Sequence, residues 1–183
     1  MALFLENLNL KIIRKYLILE NLPNGLTLIR IILVIPLIIF LEFNNLHIVW
    51  FLIILGGITD YLDGYLAKKL NIRTKFGAII DPLADKIFFI IPFLWLCKNL
   101  IIPYWSLSIL IIREFIILSL RSSTKTGLPA VNVAKYKTLF QFTSLFVLFT
   151  PTANNYFLIY GLTLYWISFF FSIYSMYKYL RVK

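Results

Sequence analysis

The fold class of this protein is decided by the stretch His47-Ile-Val-Trp-Phe-Leu-Ile-Ile-Leu-Gly-Gly-Ile-Thr-Asp60-Tyr-Leu-Asp63-Gly64-Tyr-Leu-Ala67. It is almost wholly apolar, over about the 20 residues that an α-helix needs to cross a bilayer. Near its end it carries two aspartates, and a carboxylate at the centre of such a helix costs about 2.5–3.5 kcal/mol on insertion scales. The stretch therefore predicts a membrane helix that carries a functional site.

Similar apolar runs on both sides of this stretch indicate an all-α, polytopic membrane protein. Hydrophobic residues make up 61% of the chain and charged residues 14%, whereas soluble domains are near half apolar and about a quarter charged. We predict a single domain over residues 1–183, in which a juxtamembrane segment, 1–21, precedes a six-helix transmembrane domain, 22–183. Residues 2–20 mix leucines with charges, which is typical of an amphipathic helix in the membrane interface. The predicted spans are 26–43, 47–67, 83–101, 103–121, 134–150 and 155–178.

The cations predict the orientation of these spans. One side receives nearly all of the cations that flank the spans, and the other side receives only Lys98. By the positive-inside rule the basic side is cytoplasmic, which places both termini inside a cell (inner or plasma) membrane. The net charge of +10 favours anionic lipids or phosphorylated substrates as partners. We expect no nucleic acid partner, because the cations punctuate the ends of apolar runs.

Other residue types narrow the chemistry. Cys97 is the only cysteine, which excludes an intramolecular disulfide and a thiolate metal cluster. His47 and Cys97 are both expected at the ends of spans far from the aspartates, so neither is expected to bind a metal there. The first twenty residues carry several charges and lack an unbroken apolar region, so we expect no cleavable signal peptide.

Half of the eight acidic residues lie between positions 60 and 85. Asp60 and Asp63 are three apart and Asp81 and Asp85 are four apart, so each pair shares one face of a helix. We expect Pro82 at the start of the third span, where its missing N–H would have no partner. A short connection returns that span antiparallel to the second and brings the pairs together. Four carboxylates in one pocket repel each other unless cations intervene, and their hard oxygens suit Mg²⁺, Mn²⁺ or Ca²⁺.

The spacing of the aspartates resembles the signature of the CDP-alcohol phosphatidyltransferase family. That signature reads D-x2-D-G-x2-A-R-x8-G-x3-D-x3-D, and the chain matches every fixed position but one between Asp60 and Asp85. The departure is Lys68, where the family has arginine. Lysine keeps the charge but loses the planar fork that binds phosphate oxygens in pairs.

Weaker matches resemble the branch of the family whose acceptor is sn-glycerol 3-phosphate. They comprise Asn21-Leu-Pro-Asn24-Gly-Leu-Thr27-Leu-Ile-Arg30, Arg113-Glu114-Phe115 with Arg121, and Ala134-Lys135-Tyr-Lys137-Thr138 with Gln141. The resemblance implies that the acceptor hydroxyl attacks the lipid-side phosphate of CDP-diacylglycerol. The products would be phosphatidylglycerophosphate and CMP. It also implies one or two Mg²⁺ or Mn²⁺ ions and a homodimer.

The resemblance also implies roles for individual residues. Asp60, Asp63, Asp81 and Asp85 would hold the metal, and Asp85 would also be the general base, a role worth roughly 10²–10⁴-fold in rate. The residues that the resemblance assigns to CDP-diacylglycerol binding are Asp60, Gly64, Ala67, Lys68 and Thr74, with Asn24, Thr27 and Arg30 from the first span. Those placed at the acceptor phosphate are Arg113, Arg121, Lys135 and Lys137. For Arg113 a purely structural pairing with Glu114 stays open.

Three alternative functions remain open from the sequence. A related enzyme could use another acceptor, such as phosphatidylglycerol in a cardiolipin synthase, inositol phosphate, or serine. A divalent-cation transporter would spread carboxylates through the depth of the membrane, whereas here they gather near one face. A membrane partner protein without catalytic activity would not need Asp85.

Overall fold

The computed structural model describes residues 25–70, 75–123, 132–152 and 154–181. The regular elements in that part of the chain are all α-helices, which confirms the prediction of an all-α protein. The predicted interfacial helix, 2–20, lies outside the described residues. The helices are α1 (Gly25–Glu42), α2 (Leu46–Leu70), α3 (Lys75–Lys98), α4 (Tyr104–Ser123), α5 (Asn132–Leu148) and α6 (Asn155–Arg181).

Five of the six helices begin within two residues of the predicted starts, and α3 is the exception. The prediction placed the start of this helix at residue 83, next to Pro82, but α3 begins at Lys75 and contains both Pro82 and Pro92. The prediction that Pro82 starts the helix was therefore wrong. Helices inside a membrane protein tolerate proline because neighbouring helices can satisfy the carbonyl that loses its partner. The early start places Asp81 and Asp85 within α3 rather than at its first turn.

Tight turns end α1 and α3 at the same side of the protein. Asn44 and Leu100 adopt left-handed conformations with φ of 53° and 59°. The N–H of Asn45 donates to the carbonyl of Phe40 at 3.0 Å, and the N–H of Ile101 donates to that of Leu96 at 2.9 Å. These bonds satisfy carbonyls that the ending helix would leave without partners. Asparagine adopts this conformation readily, whereas leucine is strained in it by about 1–2 kcal/mol.

Side-chain contacts fix how the first three helices run. Thr27, near the start of α1, contacts Asp63 near the end of α2 and Asp81 near the start of α3. At the other end of the protein, the Trp95 indole donates to the carbonyl of Leu41 at 2.8 Å. Helix α1 is therefore antiparallel to α2 and parallel to α3, so α2 and α3 bring their acidic ends together.

The remaining helices close the bundle around a common apolar core. Helix α5 packs along α6, and the Ser144 hydroxyl donates to the carbonyl of Gly161 at 2.9 Å. The Trp50 indole joins α2 to α5 through the carbonyl of Phe146, at 3.1 Å. Buried residues from all six helices, among them Leu37, Ile53, Phe88, Leu110, Leu145 and Tyr165, form one continuous core.

The outside of the bundle carries many large apolar side chains. Three helical segments are long and apolar enough to cross a membrane: Gly25–Glu42, Leu46–Leu66 and Asn155–Tyr179. Helices α3 and α4 carry more charges, and α5 has only 17 residues. Large apolar side chains such as Ile32, Ile35, Phe51 and Phe170 are at least 60% exposed. A contiguous apolar exterior of this kind suits contact with lipid.

Candidate active site

The two aspartate pairs meet at one end of the bundle. The hydroxyl of Thr27 lies 2.6 Å from Asp81 Oδ1 and 3.2 Å from Asp63 Oδ2. A hydroxyl carries one proton, so it donates to one of these carboxylates at a time. A single side chain of α1 thus bridges the acidic ends of α2 and α3, as the antiparallel arrangement expected from the sequence requires.

The guanidinium of Arg30 lies among the same carboxylates. It contacts Asp85 directly, and its Nη2 lies 3.5 Å from Asp60 Oδ1 and 3.8 Å from Asp63 Oδ2. Arg30 is only 2% exposed, so these attractions act in a setting with little water. Helix α1 therefore supplies a fixed positive charge that offsets part of the repulsion among the aspartates.

The aspartates differ in how far they face outward. The side chain of Asp60 is half exposed and that of Asp85 about a third, whereas Asp63 is buried. Next to them, a Cβ atom added to Gly64 would meet no atom of the described residues within 4 Å, whereas Cβ atoms on Gly56 and Gly57 would clash with Phe88 and Phe142. The face of Gly64 is thus open to a ligand, and the faces of Gly56 and Gly57 are filled by aromatic rings.

A second charged cluster lies around Glu114 on α4. Lys86 Nζ lies 3.1 Å from Glu114 Oε2, and Arg113 Nη1 donates to Glu114 Oε1 at 2.8 Å. Lys137 of α5 donates to the same Oε1 atom, and Arg113 also donates to Ser175 of α6. Arg113 and Lys137 are both 3% exposed. Three cations from three helices thus converge on one carboxylate.

The two clusters open onto one cavity of about 940 Å³. Asp60 and Asp85 line it together with Lys86, Arg113, Glu114 and Lys137, and most of the remaining lining is apolar. Ligand cavities commonly combine an apolar lining with a few converging polar groups. This one can hold apolar chains and two separate charged groups, and anions are expected at its cationic cluster.

The donor atoms at the acidic end fit a hard divalent cation. The available ligands are carboxylate oxygens and one hydroxyl, which Mg²⁺ and Mn²⁺ prefer. Among the described histidine, cysteine, aspartate and glutamate residues, however, no group of three stands ready to hold a metal ion. In this structure the guanidinium of Arg30 contacts two of these carboxylates, those of Asp60 and Asp85.

The structure describes only part of the site predicted from the sequence. It brings together Asp60, Asp63, Asp81 and Asp85 with Thr27 and Arg30, and separately Arg113 with Lys137. Asn24 and Thr74 lie outside the described residues, as do the side chains of Ala67, Lys68, Arg121 and Lys135. The pairing of Arg113 with Glu114, left open above, is present, and it coexists with a position on the cavity wall.

Lys86 and Glu114 were not predicted as site residues, although both line the cavity. One signal could have identified Lys86. A lysine inside a predicted span is a functional candidate by default, and Lys86 lies inside the span predicted over 83–101. The same rule marks Glu114, but no local signal pairs it with Lys86 and Lys137, because these lysines lie 28 and 23 residues from it along the chain.

Comparison with known proteins agrees with this geometry. The CDP-alcohol phosphatidyltransferase family matches residues 20–174. A protein of Rickettsia typhi named CDP-diacylglycerol–glycerol-3-phosphate 3-phosphatidyltransferase is 34% identical over 172 residues, which cover 88% of this chain and 96% of the relative. A protein of the same name from Wigglesworthia glossinidia brevipalpis is 38% identical over 178 residues, 88% of this chain and 94% of its own length.

Proposed function

This chain belongs to the CDP-alcohol phosphatidyltransferase family, and from that premise we propose which reaction it catalyses. It transfers the phosphatidyl group of CDP-diacylglycerol to sn-glycerol 3-phosphate, giving phosphatidylglycerophosphate and CMP in phospholipid synthesis. The names of its relatives support this reaction. The observation that carries it is the single cavity onto which an acidic and a cationic cluster both open. One cluster suits the diphosphate with its metal, and the other suits a phosphorylated acceptor.

The acidic cluster would bind the nucleotide end of CDP-diacylglycerol. Asp60, Asp63, Asp81 and Asp85 would hold one or two Mg²⁺ or Mn²⁺ ions, which neutralise the diphosphate and stabilise the CMP leaving group. The open face of Gly64 leaves room for the nucleotide beside Asp60. Ala67, Lys68, Thr74 and Asn24 complete this part of the proposal on family resemblance, with Lys68 acting as a point charge. The acyl chains would lie against the apolar wall of the cavity.

Asp85 would be the general base. Its carboxylate lines the cavity, a third exposed, and it is next in sequence to Lys86 of the cationic cluster. It would accept the proton of the 1-hydroxyl while that oxygen forms a bond to the lipid-side phosphorus. The bond from that phosphorus to the oxygen of CMP breaks, and CMP leaves. Arg30 contacts Oδ1 of Asp85, which leaves Oδ2 as the oxygen that can accept the proton.

The cationic cluster would bind the phosphate of the acceptor. Arg113 and Lys137 are buried and lie on the cavity wall, and arginine can bind two phosphate oxygens at once. Arg121 and Lys135 belong to this proposal by family resemblance. The cluster favours an acceptor with a phosphate monoester, such as glycerol 3-phosphate or inositol phosphate, whose charge is about −1.5 to −2 at pH 7. Phosphatidylglycerol, with one negative charge, and zwitterionic serine would leave more of the buried positive charge uncompensated.

The same proposal includes the arrangement in the membrane. The protein is a membrane protein, and we propose six spans with both termini and the active site at the cytoplasmic face. The concentration of cations on one side supports this orientation. Single cysteines introduced at Asn44 and Asn154 should react with an impermeant thiol reagent from outside intact cells, and one at Arg181 should not. A homodimer, proposed on family resemblance, is tested by cross-linking in native membranes.

The deciding experiment measures CMP release by the purified protein. CDP-diacylglycerol is offered with glycerol 3-phosphate, phosphatidylglycerol, inositol phosphate or serine in separate reactions. Of these four acceptors, we expect only glycerol 3-phosphate to give rapid release of CMP. Faster release with another acceptor would overturn the proposed acceptor, and no release with any of them would overturn the proposed reaction.

A further inference from the structure

Lys86 has the contacts of a substrate ligand, although sequence reasoning passed over it. Its Nζ donates to the carbonyl oxygen of Glu114 at 2.8 Å and lies 3.1 Å from the carboxylate of the same residue. It is largely buried and lines the cavity beside Arg113 and Lys137. An ammonium has three N–H groups, so with two directed at the carbonyl and the carboxylate of Glu114 it still has one for a ligand.

We propose that Lys86 is a further acceptor-binding residue, which contacts the phosphate of the acceptor together with Arg113 and Lys137. This inference rests on the proposed function, because it names another residue of the same site. Glu114 is then the positioning residue that orients the three cations toward one point. Each cation comes from a different helix, so the phosphate would tie α3, α4 and α5 together.

The charge balance of the cluster supports an anionic ligand. Lys86, Arg113 and Lys137 carry three positive charges, and Glu114 is the one carboxylate paired with them in the part of the chain that the structure describes. The surplus of about two charges is held in a mostly apolar cavity, where uncompensated charge is unfavourable. A phosphate monoester carries about −1.5 to −2 at pH 7. Its charge therefore matches the surplus.

The position of Lys86 along α3 connects the two halves of the site. It directly follows Asp85, the proposed base, and both side chains reach the same cavity. In glycerol 3-phosphate, the reacting hydroxyl and the phosphate lie at opposite ends of a three-carbon chain. Side chains of adjacent helix residues project about 100° apart, so Asp85 and Lys86 can contact different ends of one small molecule in the cavity. Lys86 would thereby align the hydroxyl with Asp85 as well as bind the phosphate.

The kinetic test compares Lys86→Met and Lys86→Arg with the wild-type protein. Losing one charged hydrogen bond to phosphate should raise the KM for glycerol 3-phosphate about 10- to 100-fold, and leave the KM for CDP-diacylglycerol within about twofold. Lys86→Arg should recover part of the affinity. The matched control is Lys98→Met, which removes a lysine paired with Glu42 at the opposite end of the protein and should change neither KM.

A binding test makes the inference independent of turnover. With a chelator present, glycerol 3-phosphate and inorganic phosphate should each raise the unfolding temperature of the detergent-solubilised wild type, with the logarithm of their concentration once that exceeds Kd. Lys86→Met should lose this protection, whereas Lys98→Met should keep it. An unchanged KM for glycerol 3-phosphate together with undiminished protection in Lys86→Met would overturn the role of Lys86.

The two failures are distinguishable. If the wild type uses a different acceptor, the proposed function fails, and the role of Lys86 is decided by protection with inorganic phosphate alone. Protection of the wild type but not of Lys86→Met would then support a phosphate-binding lysine. Equal protection of both proteins, or of neither, would overturn it. A fall in kcat with both KM values unchanged would also overturn it, since that pattern indicates a role outside acceptor binding.

Discussion

Arg30 of α1 and Asp85 of α3 are in direct contact, and the same guanidinium reaches Asp60 of α2. One buried cation thus joins the three helices at the acidic end of the bundle. It also holds the carboxylate that we assign as the general base. Catalysis and the stability of the ligand-free protein are therefore expected to depend on Arg30 in opposite ways.

Arg30→Gln should destabilise the protein when metal is absent and increase its stabilisation by metal. Removing one member of a buried ion pair leaves uncompensated charge, which costs about 3–5 kcal/mol, while the freed carboxylates bind a divalent cation without competition. Thermal unfolding in detergent, measured with chelator and over a range of Mn²⁺ concentrations, checks both effects. Lys98→Gln is the control, because its exposed pair with Glu42 is worth about 0–1 kcal/mol. An equal response of both variants to Mn²⁺ would contradict this role for Arg30.

Asp85→Asn should reduce CMP release about 10²–10⁴-fold, the usual contribution of a general base. The amide has nearly the shape of the carboxylate but cannot accept the hydroxyl proton, so the protein should still purify as a folded species. Steady-state rates with saturating substrates measure the effect. Glu42→Gln makes the same chemical change on the exposed outer turn and should retain full activity. Activity of Asp85→Asn within threefold of wild type would assign the base to another group.

Removal of divalent cations should abolish CMP release. The carboxylates of Asp60, Asp63 and Asp81 are negatively charged, as the diphosphate is, so without a cation they would repel it. Excess chelator should stop the reaction within the mixing time of the assay, and Mg²⁺ or Mn²⁺ added beyond the chelator should restore it. Full activity after exhaustive chelation would be incompatible with the proposed role of the four aspartates.

Two glycines of α2 should respond oppositely to substitution by alanine. A Cβ on Gly56 would lie 2.2 Å from the Phe88 ring, which is itself buried in the core, and overpacking of this kind costs about 1–3 kcal/mol. A Cβ on Gly64 would meet none of the atoms that the structure describes within 4 Å. Gly64→Ala should therefore fold normally and gain up to about 1 kcal/mol from helix propensity, yet raise the KM for CDP-diacylglycerol about tenfold.

Thermal unfolding and substrate titration of this pair separate packing from binding. Gly56→Ala should lose stability and keep its KM for CDP-diacylglycerol, since the change lies behind the site. If Gly64→Ala left that KM unchanged, the nucleotide would have to bind away from this face of α2.

The helical architecture of the described residues and the pairing of the aspartates followed from local patterns. Long apolar runs predicted the helices, and the three- and four-residue spacings predicted which carboxylates share a face. The start of α3 was missed because glycine, proline and charges interrupt the apolar pattern before Asp85. Arg30 was expected at the nucleotide, whereas its place among the carboxylates depends on how α1 packs across α2 and α3. The grouping of three cations on Glu114 likewise arises from tertiary packing, which no spacing along the chain reveals.

Helix α1 is held by different contacts at its two ends, so a ligand in the site should affect one end and not the other. Its C-terminal end is held by the hydrogen bond from Trp95 to the Leu41 carbonyl and by the Glu42–Lys98 ion pair. Neither contact involves the cavity. Its N-terminal end is held by Thr27 and Arg30, which contact the carboxylates that a ligand would bind. A ligand that binds those carboxylates in place of Thr27 and Arg30 should free the N-terminal end of α1 and leave the contacts at its C-terminal end unchanged. The signal of a spectroscopic label at Gly25 should therefore change when a ligand binds, whereas the signal of a label at Asn44 should not.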